Sequence, residues 1–129
     1  MEKLNSANEN CLLIIGGSGF IGAQITKKAL NLGFQVSILS KNYKPTSKRI
    51  TGVDYYIADI SRQKELSSKI QNKIFHYVIN LGGYINHSNY FDCGDKVVDV
   101  HYNGIRNIVN CINRSNLISF VQIGSSDEY

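Results

Sequence analysis

Three glycines spaced by three, Gly16, Gly19 and Gly22, stand in the run Gly16-Gly17-Ser18-Gly19-Phe20-Ile21-Gly22. The run follows the apolar stretch Cys11–Ile15 and precedes residues with helical periodicity. Strand, glycine turn and helix, in that order, build an anion site from backbone alone. Gly16 permits a tight turn out of the strand. Gly19 lets the backbone approach a phosphate closely, and Gly22 lets the helix pack against the sheet. The first helical turn has N–H groups with no partner in the helix, and they face the ligand together with Ser18, Phe20 and Ile21. The chemistry is non-covalent: the loop holds a pyrophosphate and, in this context, a dinucleotide. The alternative is a glycine turn with no ligand. A phosphate loop of the NTPase type is excluded, because no Gly-Lys-Ser/Thr follows.

A second set of polar residues sits where the next strand ends, at Leu39-Ser40-Lys41-Asn42. In dinucleotide folds an acid here accepts from the adenosine ribose, whereas a cation here reads a 2′-phosphate. No acid is present, and Ser40 and Lys41 suit a phosphate. Between NAD and NADP the site therefore favours NADP. The alternative is that Lys41, Lys44, Lys48 and Arg49 form a solvated loop face.

Elements must hold these residues in place. Five short apolar runs read as strands, at Cys11–Ile15 and at residues 35–39, 54–58, 77–81 and 120–123. Between the first two, Ile21, Ile25, Ala29 and Leu32 mark a helix, with Gly33 at its C-terminal cap. Residues 41–51 are polar, contain the only proline, Pro45, and read as an irregular loop. Leu66, Ile70 and Ile74 mark a second helix. Val97, His101, Ile105, Ile108 and Ile112 mark a third, with Gly104 on the same face, and residues 84–95 read as a loop. Alternation of this kind gives parallel strands joined by crossovers, because parallel neighbours need long connections. The expectation is an α/β fold, a Rossmann-type doubly wound parallel sheet of about five strands with helices on both faces. Residues 1–10 read as a flexible tail and 11–129 as one domain.

The bulk numbers agree. The 129 residues are 43% hydrophobic and 19% charged, which suits one packed domain. A net charge of +4 without a basic, aromatic-interleaved stripe argues against nucleic acid and suits a small anionic ligand. Cys11, Cys93 and Cys111 fit no metal spacing and read as reduced thiols, so no metal site is expected. The N-terminus lacks a secretory apolar stretch, and no run is long enough to span a bilayer. These features point to a cytoplasmic protein without a membrane partner.

The G-x-x-G-x-x-G spacing and the wording "GGSGFIG" resemble the extended short-chain dehydrogenase/reductase superfamily, in particular its NAD-dependent epimerase/dehydratase branch acting on nucleotide sugars. The resemblance runs from about Cys11 to Tyr129. It implies that Asp59, with Ile60 beside it, contacts the adenine; a turn or cap aspartate is the other reading. It implies that Asn80-Leu81-Gly82-Gly83 lines the cofactor ribose. Val100-His101-Tyr102-Asn103-Gly104-Ile105-Arg106-Asn107 is similar to the family's V-N-V-x-G-T-x-N helix. His101 and Ile105 depart from it, and His101 reads as structural. Ile15 stands where the family usually has Thr. Residues 121–129 are similar to the fifth-strand signature. Aligning on Tyr129 makes Ser125 the catalytic hydroxyl that bonds the substrate, and Asp127 the acid used in water elimination. A one-residue shift nominates Glu128 in its place. The resemblance also implies a homodimer through helices that include residues 97–112.

The family's base motif, Tyr-x-x-x-Lys, does not occur in the 129 residues. Nor does the substrate-binding region that follows it in the family. A sheet that stops at a fifth strand leaves an apolar edge or face uncovered. One reading is the cofactor-holding part of a longer epimerase or dehydratase, inactive alone. A second is a non-enzymatic dinucleotide sensor. A third is a reductase of a non-sugar carbonyl.

Overall fold

The computed structural model describes residues 10–82 and 102–123. Strand β1 (Cys11–Ile15) is the centre of the molecule. Its alternating side chains feed two cores. Leu13 and Ile15 point to one face of the sheet, and Leu12 and Ile14 to the other. A strand buried on both faces needs this unbroken apolar run.

Four further strands join it: β2 (Gln35–Ser40), β3 (Val53–Ile57), β4 (Tyr77–Asn80) and β5 (Ser119–Gln122). The order is β3-β2-β1-β4-β5, and every pairing is parallel. The chain therefore runs outward from β1 to β3, then returns across the sheet to build β4 and β5 on the other side. Between β1 and β4 the direction of winding reverses, and a crevice opens at the carboxyl ends of such strands.

Helix α1 (Phe20–Asn31) covers one face, and helices α2 (Gln63–Ile70) and α3 (Gly104–Cys111) cover the other. The doubly wound expectation is met, with the strands within a residue or so of their expected ends. The helix faces are less simple. Ala29 is buried as expected, but Ile21 and Leu32 are 62% and 66% exposed. The buried face of α1 is instead Gly22, Thr26 and Ala29. Close approach to the sheet selects small residues there, and Thr26 satisfies its hydroxyl on the Gly22 carbonyl at 2.7 Å. Ranking residues by hydrophobicity alone picks out the wrong side chains. Gly33 follows the cap residue Leu32 with φ +89°, a left-handed conformation that favours glycine. Leu66 and Ile70 are buried, but Ile74 lies beyond the end of α2 and is exposed, and Phe75 takes the core position.

The β2–β3 connection holds a single 3₁₀ turn, Thr46–Lys48, and no α-helix. An apolar groove of about 450 Å³ runs beside α1, lined by residues that include Leu12, Ile25, Phe34, Tyr77 and Val121. On the opposite face Leu66, Ile70, Phe75, Val78 and Ile108 close a dry core.

Asn10, at the end of the expected tail, is tied down. Its carbonyl accepts from Gln35 at 3.0 Å, and its amide donates to Gly33 at 2.7 Å. Cys11 and Cys111 are free thiols. Among the described residues, no helix is long and apolar enough to cross a membrane. Residues 1–9, the loop expected at 84–95, Gly83, Cys93, Val97, His101, Ser125, Asp127 and Glu128 lie outside the described residues.

Candidate functional site

The glycine turn leaves β1 through Gly16, whose φ of +75° suits only a residue without Cβ. Its amide extends the ladder to the Leu39 carbonyl at 2.8 Å. A Cβ on Gly16 would lie 2.9 Å from the Gly82 amide nitrogen, so the turn after β4 presses directly on the turn after β1. A Cβ on Gly22 would lie 2.4 Å from the Gly17 backbone, which fixes how closely α1 packs under the loop. Gly19 differs from both. A Cβ there would meet no heavy atom nearer than 3.9 Å, so the protein itself leaves that space clear. Gly19 is also the N-cap of α1, with no side-chain cap and no acid in the first turn. Phe20 and Ile21 open that turn and are strongly exposed.

A cleft of about 210 Å³ lies over the ends of β1, β2 and β3. It gathers Gly16, Ser18, Ser40, Lys41, Asp59, Ile60 and Gly82 from four separate segments, all of them singled out by sequence. Ile15, Leu39, Asn42 and Ala58 complete its wall. Gly19, Phe20, Ile21 and Gly22 stand next to it on the loop and helix, and Leu81 adjoins Gly82.

Ser40 is 92% buried (8% exposed) and its hydroxyl has no partner among the described residues, although it lines the cleft. A buried hydroxyl without a hydrogen bond is costly, by about 1–3 kcal/mol. Asp59 is the carboxylate among the residues that line the cleft. One carboxylate oxygen accepts from the Ser61 amide at 2.9 Å and the Ser61 hydroxyl at 2.7 Å. The other lies 3.8 Å from the Lys41 ammonium and 4.0 Å from Arg62. Partial burial pushes the Asp59 carboxyl up, but the Ser61 bonds and the two cations outweigh it and hold the group below its ordinary value. The local turn with Ser61 is thus present, while Arg62 and not Asp59 is the cap residue of α2.

Sequence reasoning left three supports without a role. Asn80 is fully buried, accepts from the Gly82 amide at 3.0 Å and donates to Gln122 at 2.8 Å. It holds the Gly82 turn against Gly16. Asn107 of α3 donates to the Ile60 carbonyl at 2.9 Å and anchors the Asp59-Ile60 corner. Both stood in stretches already compared with the family. The third, Lys44, which the sequence offered only among the cations beyond β2, donates to the Ser18 carbonyl at 3.3 Å.

Comparison with known proteins places this geometry. Residues 12–129 match the model of the NAD dependent epimerase/dehydratase family. Among solved structures, an epimerase from Methanothermobacter thermautotrophicus aligns over 98% of this chain with a TM-score of 0.78 at 21% identity. UDP-glucose 4-epimerase of Thermus thermophilus, solved with NAD, aligns over 78% with a TM-score of 0.66 at 19% identity. A short-chain dehydrogenase from Leptospira borgpetersenii, solved with NAD+, aligns over 83% with a TM-score of 0.65 at 26% identity. The chain spans 38%, 33% and 47% of those three proteins, respectively. With a glycine turn, a switch-point cleft and a family match over nearly all its length, the chain belongs to the NAD-dependent epimerase/dehydratase family.

Proposed function

We propose that these residues are the cofactor-holding part of a longer oxidoreductase that works on a nucleotide sugar by transient hydride transfer at a sugar carbon. The observation that carries this reading is the single cleft at the switch point, where Gly16, Ser18, Ser40, Asp59 and Gly82 converge. The fit to a nicotinamide dinucleotide rests on two features of the cleft. Among the described residues, Ser40 offers a buried hydroxyl that lacks a partner, and Gly19 keeps a space clear at the rim of the cleft. When bound, the nicotinamide takes up and returns the hydride.

The chain's own groups bind and orient. Amides at Ser18, Gly19, Phe20 and Ile21, with Gly22 setting the helix angle, receive the pyrophosphate. Asp59, kept ionised by Ser61, Lys41 and Arg62, accepts from the adenine amino group beside Ile60. Leu81, Gly82 and Gly83 wall the ribose. Ser125 bonds the substrate hydroxyl, and Asp127 serves in water elimination where the reaction requires it. With cations and no acid beyond β2, NADP is favoured over NAD. The longer polypeptide, cytoplasmic and dimeric, brings the base and substrate region, and its further segment covers the apolar groove beside α1. The 129 residues alone turn over no nucleotide sugar, and a steady-state rate from them would overturn that part of the reading.

Gly19→Val tests the site. The Gly19 backbone, at φ −80° and ψ −176°, is one that valine adopts, and its Cβ meets nothing closer than 3.9 Å. The variant should melt at the wild-type temperature yet bind ADP-ribose at least about tenfold more weakly by calorimetry, since backbone contact with the phosphates is blocked. Equal binding by the two proteins would remove the pyrophosphate from this loop.

A further inference from the structure

Asn80 and Gln122 are the last residues of β4 and β5 and are partners in the ladder. Their side chains lie in one chain of amides. The Gly82 N–H donates to the Asn80 Oδ1 at 3.0 Å. The Asn80 Nδ2 donates to the Gln122 Oε1 at 2.8 Å, and the Gln122 Nε2 donates to the Ile123 carbonyl at 3.0 Å. The two ends fix the sense of the chain. A backbone N–H only donates and a carbonyl only accepts, so turning over either side-chain amide would set like groups face to face. The Ile123 amide also donates to the Asn80 carbonyl, at 3.2 Å, so both backbone groups of Ile123 are held.

We propose that Gln122, acting through Asn80, is a positioning residue that passes occupancy of the cleft from the Gly82 turn to the end of β5, the strand that leads to Ser125. The inference rests on the dinucleotide reading of the cleft and deepens it. Gly82 lines the cleft, and a Cβ on it would meet the Asn80 Oδ1 at 3.1 Å, so the turn rests directly on that amide. A ligand packed on Gly82 keeps the turn from lifting off Asn80. Hydrogen bonds in series polarise one another, so a bond firmed at one end firms the next. Asn80 is fully buried, which keeps water from competing at the middle of the chain. The end of β5 has little else to fix it. Among the described strands β5 pairs with β4 alone, and Val121 and Ile123 are exposed. Hydride transfer is sensitive to a misplacement of about 1 Å between the reacting groups. The amide chain ties the wall of the cofactor site to the strand end that leads to the substrate hydroxyl's partner.

The experiment follows amide exchange by NMR on the 129-residue chain, free and saturated with ADP-ribose. In wild type the probe should slow exchange about fivefold at both Gly82 and Ile123, the weight of one hydrogen bond. In Gln122→Met, exchange at Gly82 should still slow, while the slowing at Ile123 falls below about 1.5-fold. Gln122→Glu still accepts from Asn80 but has no N–H for the Ile123 carbonyl, so it should lose the slowing at Ile123 as well. Asn80 keeps its partner in that variant, and Gln122 is exposed, so a folding fault does not account for the loss. A tie that merely pinned the strand would speed exchange at Ile123 in free and bound protein alike and leave their ratio unchanged. A ratio retained in either variant, or slowing at Gly82 alone in wild type, would overturn the relay and leave the cofactor cleft standing. No slowing at Gly82 in wild type would remove the dinucleotide reading itself, and the relay with it.

Discussion

The two loops that flank the cleft are built in opposite ways. The glycine loop after β1 is fixed by what its residues lack. Gly16 turns through φ +75°, and Gly16 and Gly22 press so closely on Gly82 and Gly17 that a methyl group has no room. The loop after β2 is fixed by what its residues carry. Arg49 meets two tyrosine rings, its Nε holds a carbonyl, and Lys44 spans to Ser18. The first is rigid because backbone atoms are in van der Waals contact, and cores of that density do not yield cheaply. The second is held by contacts of about 0.5–1 kcal/mol each, which side-chain motion can exchange. Damage to the first should spread into the fold, and damage to the second should stay local.

The sharpest test of that contrast is Gly22→Ala. Helix propensity alone favours alanine by about 1 kcal/mol. The added Cβ, however, would sit 2.4 Å from the Gly17 α-carbon and carbonyl oxygen, and backbone cannot swing aside as a flexible side chain does. Overpacking of this kind costs about 1–3 kcal/mol. The upper end is expected here, with a fall in melting temperature on the order of 10 °C by circular dichroism. A rise in melting temperature would mean that propensity wins, and that the glycine loop is no tighter than the other.

Gly16→Ala should cost somewhat less, about 2 kcal/mol. The left-handed conformation alone costs roughly 1–2 kcal/mol for a residue with Cβ, and the methyl would lie 2.9 Å from the Gly82 nitrogen. Gly82 is held by Asn80, so the strain should pass into the β4 turn and be read as faster amide exchange at Gly82. Exchange that accelerates only within the glycine loop would show the two turns to be mechanically independent.

The same difference decides what could be read from the sequence. Steric rules leave signatures. A glycine that nothing else can replace shows itself as a glycine, and the alternation in β1 shows itself as an apolar run, so the sheet, its five strands and seven of the cleft residues were legible. The buried side of α1 was legible only in part: Gly22 and Ala29 were read as packing inward, but Thr26 is buried with them and Ile21 and Leu32 are left outside. The clasp of Arg49 on its two tyrosine rings was not legible. Tyr43, Arg49 and Tyr55 are ordinary loop and strand residues, and only folding brings the two rings within about 5 Å of the Arg49 guanidinium. Asn80 shows the middle case. Its stretch was recognised, but the bond from its side chain to Gly82, and to Gln122 across forty-two positions, depends on β4 and β5 being neighbours.

For the side-chain-built loop, Arg49→Ala should lower stability by less than about 1 kcal/mol, since the two ring contacts are partly exposed. The change should stay local. Proteolysis or amide exchange would quicken across residues 41–50 while β1 and α1 keep their protection. Loss of protection in β1 would mean the clasp supports the whole sheet, and would dissolve the contrast between the loops.

The smallest effect is expected at Asp59, which faces Lys41 at the start of the side-chain-built loop. Its carboxyl is held below the ordinary value, because burial is outweighed by the Ser61 bonds and by Lys41 and Arg62. A depressed folded value contributes stability that is fully present above the unfolded value near 3.8 and is lost as pH falls through the lower folded one. Wild type should therefore show a decline in stability beginning below about pH 4 that is shallower in Asp59→Asn. Above that range Asp59→Asn should run slightly and uniformly below wild type, because asparagine still accepts from Ser61 but no longer attracts Lys41. Since Lys41 is largely exposed, its share is screened, and raising the salt concentration should narrow the gap. A gap that salt leaves untouched would assign the contribution to the Ser61 turn alone.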